Sequence, residues 1–249
     1  IYSPYLKNKQ GQLYIDHVRG IYNVMKRVKA NYPDVPMMLC SGGGARCDYE
    51  ALKYFTEFWC SDNTDPVERI YIQWGFSQFF PAKAMDAHVT SWNKATSVKF
   101  RTDVASMCKL GFDIGLKELT ADELTYCQTA VANWKRLQNA IMDGDQYRLV
   151  SPYEGNHMAL NYVSKDANKA VLFAYDIHPR FQEKLLAVKL QGLDPNKQYK
   201  VEEINLMPAA SSGLVANGKV YSGDYLMKIG LDVFGLGQTQ SRVVELTAQ

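Results

Sequence analysis

The stretch Pro36-Met-Met-Leu-Cys-Ser-Gly-Gly-Gly-Ala45 decides the fold class. Four apolar residues in a row, with prolines before them at 33 and 36, read as a short buried strand. The three glycines that follow end it in a loop whose backbone can approach a ligand closely. On the N-terminal side, Leu13, Val18, Ile21, Met25 and Val28 recur at helical spacing between Gln10 and Tyr32, with Lys and Arg between them. Pro33 and Pro36 stop that helix. Helix, strand and glycine loop in succession is the order of an α/β protein.

On the C-terminal side the same grammar continues. Tyr49–Trp59 reads as a helix, and Asp65-Pro-Val-Glu68 as the start of another, with Asp65 as N-cap, Pro66 at the first helical position and Glu68 at the third. Thr120-Ala-Asp-Glu123 opens a further helix with Leu124, Cys127, Val131, Trp134, Leu137 and Ile141 on one face, closing at Asp143-Gly-Asp145. Beyond Tyr147 the texture changes. Short β-branched and aromatic runs (158–163, 170–175, 184–190, 199–204, 225–229 and 242–246) are separated by turn residues such as Lys165-Asp-Ala-Asn168, Asp194-Pro-Asn-Lys197 and Asn217-Gly218. Such strands predict an antiparallel β-sandwich, with the boundary near residues 143–147.

Composition narrows the function. The 249 residues carry 28 Lys and Arg against 26 Asp and Glu, with no basic cluster, so a nucleic-acid partner is not expected. No apolar run is long enough to span a bilayer, so no membrane partner is expected either. All five cysteines (40, 47, 60, 108 and 127) fall in the first 127 residues, without Cys-x-x-Cys spacing. The reading for each is a small buried hydrophobe, and with four scattered histidines the expectation is a chemistry without metal or cofactor.

Candidate chemistry sits in the first texture. Asp62 has no capping duty, unlike Asp65, and is either a functional carboxylate or a solvated turn residue. Trp59 is either a platform for a sugar ring or a core tryptophan. Gly42-Gly-Gly44 allows close backbone approach, and no Lys-Ser/Thr follows to make it a phosphate cradle.

Taken together, Met38-Leu-Cys-Ser-Gly-Gly-Gly-Ala-Arg-Cys-Asp48, Phe58-Trp-Cys-Ser-Asp-Asn-Thr-Asp-Pro-Val-Glu-Arg69, Ile72-Gln-Trp-Gly75 and Ala84-Met-Asp-Ala-His-Val89 resemble, in order and spacing, the C-terminal part of the α-galactosidases of glycoside hydrolase family 36. The resemblance runs on through Phe100-Arg-Thr-Asp103 and Lys109-Leu-Gly-Phe-Asp113 into the β-rich tail. It implies the C-terminal part of a (β/α)8 catalytic barrel over residues 1–145, followed by an antiparallel β-sandwich over 146–249. It also implies a retaining hydrolase releasing terminal α-linked galactose from melibiose- or raffinose-type oligosaccharides. Carried over by motif, Asp62 is the general acid/base, while Cys40, Gly42, Gly43 and Trp59 lie against the sugar.

One departure stands out. The family's nucleophile is an aspartate in a Lys-x-Asp-x-Asn motif, and these 249 residues contain no such motif. The chain opens at Ile1-Tyr-Ser-Pro-Tyr5, about where the family pattern has just passed it. The expected partners are therefore an α-galactoside oligosaccharide and the N-terminal portion of the same enzyme, with a homo-oligomer compatible with both. The chain alone is expected to be inactive. Two other readings stay open: a non-catalytic carbohydrate-binding or interaction fragment, and a related activity on α-N-acetylgalactosamine or in galactosyl transfer.

Overall fold

The computed structural model describes residues 2–235 and 237–249, so Ile1, at which the sequence opens, lies outside the described residues. The chain divides into two compact units, residues 1–59 and 60–249.

The first unit is led by helix α1 (Gln12–Asn31), which matches the helix expected between Gln10 and Tyr32. Strand β1 (Met38–Leu39) follows the prolines and pairs in parallel with β2 (Glu57–Trp59) in the register Met38 to Glu57 and Leu39 to Phe58. The helix expected over Tyr49–Trp59 is not formed: a single 3-10 turn covers Ala51–Lys53, and the segment ends as β2. Leu52, Phe55 and Phe58 carry a helical spacing, but the parallel pairing with β1 overrides it. The amides of Tyr54 and Phe55 bond back to Ala51, and Thr56 donates from its amide to Met37 O at 2.8 Å, which starts the extended pairing.

In the second unit, α2 (Pro66–Phe76) begins as its cap predicts, with the Asp65 carboxylate accepting from the amides of Val67 and Glu68. Strand β3 (Met85–Thr90) leads through α3 (Val98–Ala105) to β4 (Lys109–Asp113), which pairs with β3 in parallel. Helix α4 (Ala121–Asp143) starts on a complete capping box, Thr120 with Glu123, and stops at Gly144. Its buried face is centred on Tyr126, Cys127, Ala130, Leu137, Ala140 and Ile141, so Leu124 is exposed and Val131 only half-buried.

The remaining strands are β5 (Asp145–Val150), β6 (His157–Val163), β7 (Lys169–Asp176), β8 (Gln198–Ile204), β9 (Val220–Ser222) and β10 (Gln240–Ala248). They form a six-stranded antiparallel sheet in the order β5-β6-β7-β10-β8-β9. An α/β part and an all-β part are thus both present, as the two textures imply. Two expected strands are absent. Residues 184–190 contribute a single bridge, Val188 to Leu231. Residues 225–229 lie in and just after helix α5 (Gly223–Lys228), whose N-cap Ser222 accepts from the Tyr225 amide.

β6 and β7 are buried on both faces, apart from half-buried Lys169 at the start of β7. Ala159, Val163, Leu172, Ala174, Val201, Val244 and Leu246 face one core with Val188, Leu190, Leu193, Leu214 and Leu231 from the connecting segments. Alternate residues face the helices: Tyr162 donates to Met107 O at 2.8 Å and Tyr175 to Asp103 O at 2.8 Å. Asp103, fully buried on α3, is the hub of this face. Its carboxylate accepts from Lys99 Nζ (2.6 Å), Ser241 Oγ (2.7 Å), Tyr126 Oη (2.9 Å) and Asn205 Nδ2 (2.9 Å). Burial first, and then this carboxylate, raise the Tyr126 phenol well above its usual pKa, so the hydroxyl remains a donor.

Candidate functional site

The candidate residues fall in both units. In the first, Cys40 follows β1 directly and Trp59 closes β2. The paired register ends at Leu39 and Phe58, so Cys40 and Trp59 each come one residue after a paired position at the C-terminal ends of two parallel strands. Cys40 is exposed and Trp59 half-buried. Gly42 (φ 68°) and Gly43 (φ 98°) both occupy the left-handed region, where a side chain would be strained, so glycine is favoured at these two positions by the turn itself. Ser41 Oγ donates to Gly43 O at 3.0 Å and tightens that turn. Nearby, Tyr22 donates to Asp48 Oδ2 at 2.5 Å and stacks on Tyr54 at 5.7 Å, while the Asp48 carboxylate also accepts from the Ala51 amide. Burial, helped by Asp48, pushes the Cys47 thiol up to about 11.

In the second unit, Asp62 is exposed on the loop between Cys60 and α2. Its neighbours hold the loop. The buried Arg69 donates from Nη1 to Ser61 O at 3.1 Å and from Nη2 to Asp86 O at 2.5 Å, tying the residue before Asp62 to β3. Burial lowers the pKa of this guanidinium, and the two carbonyls accept from its Nη1 and Nη2 groups. Past Asp62, the Asn63 amide donates to Ser61 Oγ at 3.1 Å and the Asp65 amide to Asn63 Oδ1 at 3.0 Å. Buried Thr64 shares a hydrogen bond with buried Thr90 at 3.0 Å and accepts from Asn93 Nδ2 at 2.6 Å. The loop is thus built as a rigid support with Asp62 near its middle.

β3 and β4 pack through His88 and Gly111. A Cβ at Gly111 would lie 2.3 Å from the His88 ring, so a larger residue there would force that ring to move. Burial, and secondarily Arg69, lower the His88 pKa, which favours the neutral imidazole.

Sequence reasoning missed Arg69, Thr64, Thr90 and Asn93. Arg69 closes the quoted Asp-Pro-Val-Glu-Arg run, but nothing in a sequence marks an arginine as buried. Among the described residues no group of three or more His, Cys, Asp or Glu is arranged to hold a metal, and no helix is long and apolar enough to cross a membrane.

Loops at the C-terminal ends of parallel strands are where barrel enzymes carry their active sites, and the loop bearing Asp62 is tied through Thr64 to the end of β3. Comparison with known proteins makes this specific. Residues 1–144 match the Melibiase family model, and residues 157–246 match that of the glycosyl hydrolase family 36 C-terminal domain. The chain belongs to the melibiase family of glycoside hydrolase family 36.

Among relatives, α-galactosidase 2 of Hypocrea jecorina is 33% identical over 239 residues, covering 94% of this chain and 30% of that protein. α-Galactosidase AgaA of Geobacillus stearothermophilus is 33% identical over 220 residues, covering 86% of this chain and 28% of that protein. The crystal structure of AgaA A355E D548N in complex with raffinose superposes with a TM-score of 0.85 at 30% identity, covering all of this chain and 33% of that one. The AgaB α-galactosidase structure from the same organism gives 0.83 at 33% identity, covering 92% and 31%. The chain therefore spans about a third of the length of the relatives it matches.

Proposed function

We propose that this chain supplies the acid/base half of a retaining α-galactosidase site, with Asp62 as the general acid/base. The observation that carries the reading is the bracing of the 61–65 loop on which Asp62 is exposed. Asp65 caps α2, Asn63 turns the backbone, Thr64 anchors to β3, and Arg69 holds Ser61, while Asp62 is held exposed among them. General acid catalysis requires a carboxyl group held in a fixed position at the leaving oxygen, and the bracing of this loop supports that role for Asp62.

In the first step Asp62, protonated, donates to the glycosidic oxygen as an ionised carboxylate about 5–5.5 Å away attacks the anomeric carbon. In the second, the Asp62 carboxylate takes a proton from water, which displaces the enzyme from the same carbon and restores the α configuration. The attacking carboxylate belongs to the Lys-x-Asp-x-Asn motif absent from these residues, so the partner is the nucleophile-bearing N-terminal portion of the enzyme. Residues 1–145 then form the C-terminal part of the catalytic barrel and 146–249 the β-domain. Cys40, Gly42, Gly43 and Trp59 are the galactose contacts that the family motif carries over, and the glycine turn allows close approach of a ring. The known complex of a relative with raffinose makes raffinose-type oligosaccharides the substrates to try first.

The test is hydrolysis of p-nitrophenyl α-galactoside by this chain alone and by the polypeptide with its upstream coding segment restored. No turnover is expected from the chain alone. The restored polypeptide is expected to release α-galactose first, as read by NMR. An inactive restored polypeptide, or release of β-galactose first, overturns the proposal.

A further inference from the structure

Resting on the acid/base reading of Asp62, the geometry points to Trp92 as the platform that binds the leaving-group sugar. Trp92 lies two residues beyond the C-terminal end of β3, on the segment that is locked to the acid/base loop. Asn93, its neighbour, donates to Thr64 Oγ1 at 2.6 Å, and Thr64 in turn pairs with Thr90 at the end of the same strand. Thr64 is only two residues from Asp62.

The segment is anchored on both sides of the tryptophan. The Ser91 amide donates to Asp113 O at 3.2 Å, Ser91 Oγ accepts from the Gly115 amide at 2.9 Å, and Lys94 pairs with Glu118. Arg101 Nη1 holds Thr90 O at 2.9 Å. A wall fixed in this way loses little freedom when a ligand settles on it.

Among the four tryptophans, Trp74 is buried, Trp59 and Trp134 are half-buried, and the Trp134 indole donates to Cys108 O at 3.0 Å. Trp92 is 62% exposed. A single exposed aromatic is unremarkable elsewhere on a surface. Here it sits between Thr90 and Asn93, both of which hydrogen-bond Thr64, two residues from the proposed general acid. The acid protonates the oxygen of the departing group, so whatever is bonded to that oxygen beyond galactose lies on the Asp62 side of the bond. An indole offers such a sugar a flat apolar face, the surface against which the C–H side of a pyranose packs. The ligand class is therefore a hexose linked through the scissile oxygen, as in raffinose-type substrates.

The experiment uses the restored full polypeptide and two substrates. Raffinose has a disaccharide leaving group, whereas in α-galactosyl fluoride the leaving group is a single atom with no ring to stack. Trp92→Ala is expected to lower the ratio of kcat/KM for raffinose to that for the fluoride about tenfold, mainly through KM, and Trp92→Phe to recover most of it. A ratio within twofold of wild type overturns the assignment, as does a Phe variant no better than Ala. If the wild-type polypeptide hydrolyses neither substrate, the acid/base reading fails and this one with it.

Discussion

Replacing Asp103 with Ala tests how the helices are joined to the β-sheet. The side chain is fully buried and accepts from four donors on four different segments: Lys99 on its own helix, Tyr126 on α4, Asn205 just after β8 and Ser241 on β10. Lys99 is 17% exposed and can turn to water, so the cost falls on the other three. Each buried donor left unsatisfied costs about 1–3 kcal/mol. Partial relaxation and some solvent entry take the sum to the lower part of the range, about 4 kcal/mol. Asp103→Asn preserves shape and one acceptor oxygen but turns an NH2 group toward the donors, for about 2–3 kcal/mol. Ser241→Ala removes one donor and costs about 1 kcal/mol. Urea unfolding followed by tryptophan fluorescence measures all three as shifts in midpoint at constant slope. A loss below 1 kcal/mol for Asp103→Ala, or a Ser241→Ala variant as damaging as Asp103→Ala, would refute the hub.

Three smaller predictions follow from the local chemistry. Asp65→Ala removes the cap of α2 and is expected to cost about 1 kcal/mol in the same urea assay, whereas Asp65→Asn retains most of it. The Asp166 carboxyl accepts from Ser164 and Asn168, which hold its pKa down to about 2. A depressed folded-state pKa stabilises the fold above the unfolded carboxylate range and loses that contribution as pH falls through about 2; NMR titration should find the midpoint there, and Ser164→Ala should raise it. The Cys47 thiol, pushed up to about 11, stays protonated at neutral pH, so mass spectrometry after a short maleimide pulse should find exposed Cys40 modified well before Cys47.

What could be read from sequence was whatever is local. Asp65-Pro66 and the Thr120–Glu123 box announce their helices because a cap satisfies backbone amides within three residues. Tyr49–Trp59 misled because its apolar spacing is helical while its last three residues are recruited by β1, a partner nineteen residues upstream. Tyr225–Ile229 carries strand-like residues, but Ser222-Gly-Asp224 caps a helix and the short segment follows the cap. The site divides along the same line. Asp62, Cys40 and the glycines are candidates that motifs alone supply, whereas the brace around Asp62 could not be read from them. Arg69 reaches Asp86 seventeen positions away, and Asn93 reaches Thr64 across twenty-nine. Such contacts exist only once α2 and β3 have packed.

The most direct measurement of the central claim is the leaving-group dependence of Asp62→Ala in the restored polypeptide. Raffinose, with a poor leaving group, needs a proton at the glycosidic oxygen, whereas a p-nitrophenyl α-galactoside departs largely without one. The account predicts that Asp62→Ala lowers kcat/KM for raffinose by about 100-fold or more and the aryl substrate distinctly less. Equal losses on both substrates, or no loss on either, would contradict the assignment of Asp62 as the general acid.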